Sequence, residues 1–484
     1  MRKLSALALL LLVAVFLVSC SGVPGGGCVT NCGGGNATVS LVLTATPPNP
    51  TALLSIQSFT ANITGVSLST ATGSVVAVPL NATTYIADFN RVTSDSTILA
   101  AKATVPADTY TTVTVTFSNP RVTFCTQTNP GVFGCAAGSV QSLTGSAGSS
   151  TISTSLTLAA NQQTGVDLDL DLGAVITLNG QAITAINLGA SGAFSAASLP
   201  PSAAATDLPA GALSHIDDVL GVVSAASSPS LTIQTATRGS ITAVTNSSTQ
   251  YSTNCSSQNF SCVQTGTAAI VDTVLNSDGT FTVVYYQPLA SASLDIVEGV
   301  VTGVPNTTTQ QCNIVVTDAT VATSNSLISG QLSIGDQLTL SLSSSPQAFV
   351  IISKDLLVPT NTFAGATDVS AIQPGQTIAF PVISFSPQSG VTPGTASTDT
   401  VALRFTRLSG VMTSPSSPVF SADTFPSFFG LASARQFQTT TGRLSVDGAS
   451  SLSGISSGTI ISTTALYVGP SSTPTFTAQT VRAH

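Results

Sequence analysis

The 484-residue chain carries 12 Lys and Arg against 20 Asp and Glu, a net charge of −8. Only 7% of residues are charged and 43% are hydrophobic, the reverse of the balance that keeps a chain disordered. The acidic sign argues against nucleic acid or an anionic lipid surface as a partner.

Arg2 and Lys3 open the chain, and Leu4 to Val18 is a nearly unbroken apolar run of 15 residues. A membrane-spanning helix needs about 20. A basic start, a short apolar run and a small residue before the cut mark residues 1–19 as a secretory signal peptide. The closing Leu17-Val18-Ser19-Cys20 resembles a bacterial lipobox. That resemblance implies cleavage before Cys20, lipidation of its thiol and amine, and a membrane anchor made of acyl chains. Each buried methylene contributes about 0.8 kcal/mol, so two or more chains hold stably. Ser21 stands where inner-membrane lipoproteins usually carry Asp, which implies sorting to the outer membrane. Cleavage removes Arg2 and Lys3 and takes the net charge to −10.

Residues 20–37 hold Gly25 to Gly27 and Gly33 to Gly35, the composition of a flexible tether. Beyond it Ser, Thr, Val, Gly and Pro dominate, which favours strands and turns. An all-β protein follows: a β-sandwich, then small OB-like β-barrel repeats. Val39, Leu41 and Leu43 alternate with Ser40, Val42 and Thr44, and Val113, Val115 and Phe117 share one face of another run. Seven to nine such runs over residues 38–195 predict the sandwich.

Val39 to Pro47, Ile86 to Phe89 and Val105 to Tyr110 are similar to segments of an exported bacterial family called domain of unknown function 4382. The family has no assigned chemistry. Where it often carries Asp, this chain has Ala45, and Asp108 replaces its turn Gly.

Pro200-Pro201 and Ala203 to Ala205 place a linker at 196–213. Such a linker predicts few contacts across it, and so a C-terminal part that folds without the sandwich. Beyond it Gly221-Val222-Val223, Gly299-Val300-Val301 and Gly410-Val411-Met412 recur. Each is followed by an apolar residue, two spacers and Gly: Val263 to Gly266, Leu332 to Gly335 and Ile455 to Gly458, with Ile372 to Gly375 extra in the second interval. Strand-like segments at Phe281, Phe349 and Phe476 end the repeats. Three barrels are expected at 214–294, 295–400 (with an insertion) and 401–484. The pattern is similar to a second exported family, domain of unknown function 5666.

Eight cysteines fall as Cys20 and seven others. Cys28/Cys32, Cys125/Cys135 and Cys255/Cys262 are close pairs, and export makes disulfides of them plausible. Asn129-Pro130-Gly131 is a turn signal inside the second pair. Cys312 is left over as a buried thiol. With only His215 and His484 available, no zinc site or other cofactor is expected.

On a strand, Asp167, Asp169 and Asp171 share one face about 6.8 Å apart. That spacing permits part of a cation site completed from elsewhere, since calcium needs about six to eight oxygens. Gly454-Ile455-Ser456-Ser457-Gly458 matches the nucleophile-elbow pattern, but no acid and only His484 follows it. The same stretch fits the repeat's turn. Asn276-Ser277-Asp278-Gly279 reads as a hairpin turn. The expectation is therefore a non-catalytic, lipid-anchored envelope protein that binds or scaffolds a polymer or protein. A glycan hydrolase of the cell surface is the alternative, weakened by the absence of Trp.

Overall fold

The structure is a computed structural model. It describes residues 34–484 except 51–53, 127–133, 137, 181, 200–214, 277–279, 292, 427–428, 430–433, 440–444, 447–451 and 470–474. The leader, Cys20, Cys28, Cys32 and most of the expected linker lie outside the described residues. Among the described residues no helix is long and apolar enough to cross a membrane.

The first unit holds twelve strands: β1 (Asn36–Thr46), β2 (Ser55–Thr70), β3 (Val75–Val78), β4 (Tyr85–Asp88), β5 (Thr97–Pro106), β6 (Asp108–Cys125), β7 (Val140–Thr144), β8 (Gly148–Leu158), β9 (Gln163–Asp171), β10 (Ile176–Asn179), β11 (Ala182–Ile186) and β12 (Phe194–Leu199). One sheet runs β12-β9-β1-β5. The other is built on the long β2–β6 pair, flanked by β3, β4, β7 and β8. Leu41 and Leu43 of β1 meet Val113 and Val115 of β6 in one core between the sheets. Period-two alternation puts these residues on one face, and burying that face makes the sandwich. The Tyr110 hydroxyl donates to the Pro106 carbonyl at 2.7 Å, tying the β5–β6 corner. The unit extends past its expected limits: β1 begins at Asn36, and β12 carries the sheet to Leu199.

The first barrel comprises β13 (His215–Ser227), β14 (Ser230–Gln234), β15 (Ser240–Val244), β16 (Gln250–Tyr251), β17 (Thr267–Leu275) and β18 (Phe281–Ser291). Pairing runs β15-β14-β13-β17-β18, and a parallel bridge from β15 to β18 closes the ring. This is the strand order of an OB-like barrel. The third barrel repeats it. The second half of β26 (Ala402–Ser414) pairs β27 (Val419–Asp423) and β30 (Ile460–Tyr467), and β28 (Arg435–Gln438) runs parallel to β31 (Phe476–Ala483) to close the ring.

The second barrel uses β19 (Ile296–Val301), β20 (Gln311–Thr320), β21 (Gln337–Leu342) and β23 (Thr377–Pro381). Its closing strand is made in two pieces. β25 (Gly394–Thr398) pairs in parallel with β21, and the first half of β26 pairs with β23. The short β24 (Ser384–Ser386) pairs β25 as an added hairpin. Each closing strand also takes a two-residue parallel partner: β16, β22 (Val350–Ile351) and β29 (Ser445–Val446) respectively.

The glycine signals explain the repetition. A Cβ at Gly221, Gly299 or Gly410 would stand 2.6–2.7 Å from the carbonyl oxygen of Gln234, Val315 or Asp423 on the next strand. The backbone N–H of Gly266, Gly375 and Gly458 donates to Val223, Val301 and Met412, two residues past those glycines. Each such turn follows a 3-10 segment: Phe260–Cys262, Val369–Ala371 or Leu452–Gly454.

Three readings of the sequence are corrected here. In the second repeat the equivalent turn is Ile372 to Gly375, not Leu332 to Gly335. The strand at Phe349 is the accessory β22, and the closing strand comes some fifty residues later, because β23 and the added β24 arm lie between them. The expected boundary between residues 400 and 401 also shifts, because β26 closes barrel two with its first half and opens barrel three with its second.

The sandwich is also not independent of the barrels. Arg121 of β6 reaches Asp336 at 2.7 Å and the Gly335 carbonyl at 3.1 Å, and Thr123 Oγ1 donates to the same carbonyl at 2.9 Å. The Leu332–Gly335 turn is thus a docking point for the sandwich. The expected scarcity of contacts across the linker is not what the structure shows, since polar groups of both parts satisfy one another.

Candidate functional site

The three aspartates expected to form part of a cation site do not converge on one point. Thr44 Oγ1 on β1 lies 3.0 Å from Asp167 and 2.9 Å from Asp169, and Thr46 Oγ1 donates to Asp169 at 2.9 Å. Asp171 instead accepts from the N–H groups of Gly173 and Ala174, capping the helical turn Leu172–Val175. The parallel register of β1 and β9 puts threonines, not further carboxylates, beside the acidic face. Among the described residues no group of three or more His, Cys, Asp or Glu is placed to hold a metal ion. Ser456 and Ser457 are exposed in the third barrel's turn, where the Thr459 N–H donates to the Ser456 carbonyl. That stretch is a turn, not a nucleophile elbow.

Cys125–Cys135 and Cys255–Cys262 are bonded, each with Cα atoms 5.7 Å apart. Cys312 is a buried free thiol whose pKa burial pushes up to about 12.

Sequence reading missed the place where all four units meet. In β13 the pairing with β17 slips between Ile216 and Val219, and Asp218 sits there at φ 62°. A bulge of this kind re-aims side chains. Here it turns the Asp218 carboxylate into the protein interior. Arg404 Nη2 donates to it at 2.8 Å and Lys354 Nζ lies 3.1 Å away. Arg404 Nε also donates to Glu298 at 2.9 Å, and Lys354 to Asp272 at 2.7 Å and Gln479 at 3.2 Å. Lys354 Nζ stands 5.1 Å from the centre of the Phe405 ring. From the sandwich, Arg91 donates to Asp318 at 2.9 Å and to the Asp218 carbonyl at 2.6 Å.

Charge sets the protonation of this cluster. Burial alone would raise the pKa of Asp218, but Arg404 and Lys354 hold it well below the usual carboxylate range. Asp217 has no such cation in contact: burial, then Asp272 and Asp95, push its pKa well up. Burial likewise raises Asp318, with Arg91 opposing. These carboxylates lie in the interior, and Asp218 and Asp318 pair with cations. They are not two acids facing each other across an open cleft.

The open site lies elsewhere. Between β7 with its stapled loop and strands β20–β21 of the second barrel runs a groove of about 660 Å³. Ligand sites usually span about 300–1,000 Å³. The Cys125–Cys135 bridge holds the loop so that the Cys135 N–H reaches the Thr302 carbonyl at 2.5 Å. Gly134 (φ 72°) permits this approach, since a Cβ there would meet that same oxygen at 2.7 Å. The far wall is the hairpin before β25. Gln388 Oε1 accepts from the Gln337 N–H at 2.7 Å, and its Nε2 donates to the Gly390 carbonyl at 2.8 Å. Gln141, Ser142 and Asn313 add further amides and a hydroxyl, while Leu338, Pro393 and the 93% exposed Val391 add apolar surface. The described lining holds no charged side chain. Such a surface can hydrogen-bond neutral polar groups and cover apolar ones, but offers neither a general acid nor a base.

No protein-family model matches the chain, and no curated protein matches it.

Proposed function

We propose that this is a lipid-anchored protein of the bacterial outer membrane whose exported part is a rigid, non-catalytic β-array. It binds or scaffolds a neutral envelope polymer or a protein through the amide-lined groove. The reading of the leader and Cys20 supports the anchor. The observation that carries the rest is the groove, walled by the sandwich on one side and the second barrel on the other and fixed by a disulfide and by Gln388. Ion pairs at the four-way junction keep the two walls in register. The proposed kinship with two exported families of unassigned function agrees with an envelope role and lends no activity. Hydrolysis of a glycan is the competing reading. It requires two carboxylates across a cleft, and the described lining of this groove offers none.

The anchor is tested by feeding an alkyne-labelled fatty acid to cells making the full chain or Cys20→Ala. Label and membrane fractionation with the first and neither with the second are expected; a labelled Cys20→Ala protein overturns the anchor. Binding is tested by retention on isolated cell envelopes. Gln388→Ala is expected to lower retention with an unchanged circular dichroism spectrum, and full retention removes the groove from the proposal.

A further inference from the structure

A second, smaller cleft opens where the sandwich meets barrels two and three. Pro47 and Pro48 follow β1 on one wall, Asn90 stands beside them, and Leu408 of β26 and Phe429 form the other. Its volume is about 60 Å³. At about 10–15 Å³ per water-sized probe this is room for several waters or one small polar group.

Arg407 lines this cleft and touches the junction through a single long ion pair. Its side chain is 8% exposed. Nη2 lies 3.5 Å from Asp218 Oδ2, outside hydrogen-bonding geometry, while Arg404 and Lys354 both take the other oxygen, Oδ1. Nε and Nη2 are buried and have no hydrogen-bond acceptor among the described residues. Burial and the nearby Arg91 charge both lower the guanidinium pKa. A buried guanidinium left without acceptors is costly, and a planar fork of donors matches a carboxylate. The cleft joins that cation to an apolar wall.

We propose that the cleft is a binding site for a small organic carboxylate, with the charged end on Arg407 and the apolar remainder against Phe429 and the Pro47-Pro48 segment. The site is separate from the amide-lined groove and does not depend on it.

Saturation-transfer NMR on the full chain tests this, with sodium propionate as probe and propionamide as its neutral counterpart. Propionate is expected to receive saturation and propionamide to receive little. Arg407→Gln should weaken propionate binding at least tenfold, and Arg407→Lys should keep part of it. Three results would each overturn the proposal: no transfer to propionate in the unmodified chain, equal transfer to propionamide, or unchanged binding by folded Arg407→Gln. If Arg407→Gln fails to fold, the comparison of the two probes on the unmodified chain decides.

Discussion

The Arg404 guanidinium and the Asp218 carboxylate meet at 2.8 Å with neither side chain exposed, although 186 residues separate them. One residue belongs to the strand shared by barrels two and three, the other to a bulge in the first strand of barrel one. With Lys354, Arg91 and Glu298 they join the sandwich to barrels one and two, and Lys354 reaches Gln479 of barrel three. In a chain with so few charges, this cluster takes four of its cations.

Breaking the pair is expected to be expensive. A buried ion pair adds little over a well-packed apolar pair, but removing one partner strands the other and costs about 3–5 kcal/mol. Arg404→Met leaves Asp218 and Glu298 short of a cation. Urea unfolding should show a loss of that order, and a change within error would mean that solvent reaches the junction.

The units should unfold together. Arg91 is the sandwich's contribution to the junction, through Asp318 and the Asp218 carbonyl. Scanning calorimetry of the full chain is expected to give one main transition, and Arg91→Met to split it or broaden it. Two well-separated transitions in the unmodified protein would show that the sandwich stands alone.

Glycines at the barrel starts are predicted to matter more than those at the turns. At Gly410 a Cβ would press on the Asp423 carbonyl at 2.6 Å and on the Phe425 ring at 3.0 Å. Overpacking of this kind costs about 1–3 kcal/mol. At Gly458 (φ 90°) a Cβ meets nothing within 4 Å, so only the backbone penalty of about 1–2 kcal/mol applies. Melting temperatures should fall further for Gly410→Ala than for Gly458→Ala, and the reverse order would refute the close approach.

Stability should depend on pH through two buried groups of opposite sign. His484 Nε2 lies 3.0 Å from Ser462 Oγ, and burial, then Arg482, push its pKa down to about 3. The unfolded imidazole takes a proton first, near pH 6.5, so its contribution is full above that pH and is lost as pH falls towards about 3. Burial pushes Asp88 up to about 6. Its contribution is full below about pH 3.8 and is lost as pH rises through 6. Each pKa unit is worth about 1.4 kcal/mol at most. Denaturation between pH 4 and 7 should show a flatter acid-side loss for His484→Gln, and a smaller loss on raising pH from 4 to 6 for Asp88→Asn, the raised Asp217 and Asp318 supplying the remainder. Curves that overlay the parent would mean both groups titrate as in water.

Local sequence determined the strand faces of β1 and β6, the glycines that start each barrel, the turns that close onto them in barrels one and three, and the two bonded cysteine pairs. Each rests on neighbours in the chain: alternation by two, a backbone that admits no Cβ, or ten residues or fewer between thiols. Tertiary structure alone decided the rest. Arg91, Asp218, Lys354 and Arg404 have no local signature, since an isolated charge or a pair of charges between apolar residues reads alike whether it meets solvent or a partner. Register placed Thr44 beside Asp167 and Asp169 and so filled a face that had looked open to a cation. The second barrel's closing strand was hidden because it is broken at residues 399–401, between β25 and β26, and its second piece also begins the next barrel. The groove joins β7 to β20 and β21, strands about 170 to 200 residues apart, and no periodicity within either could bring them together.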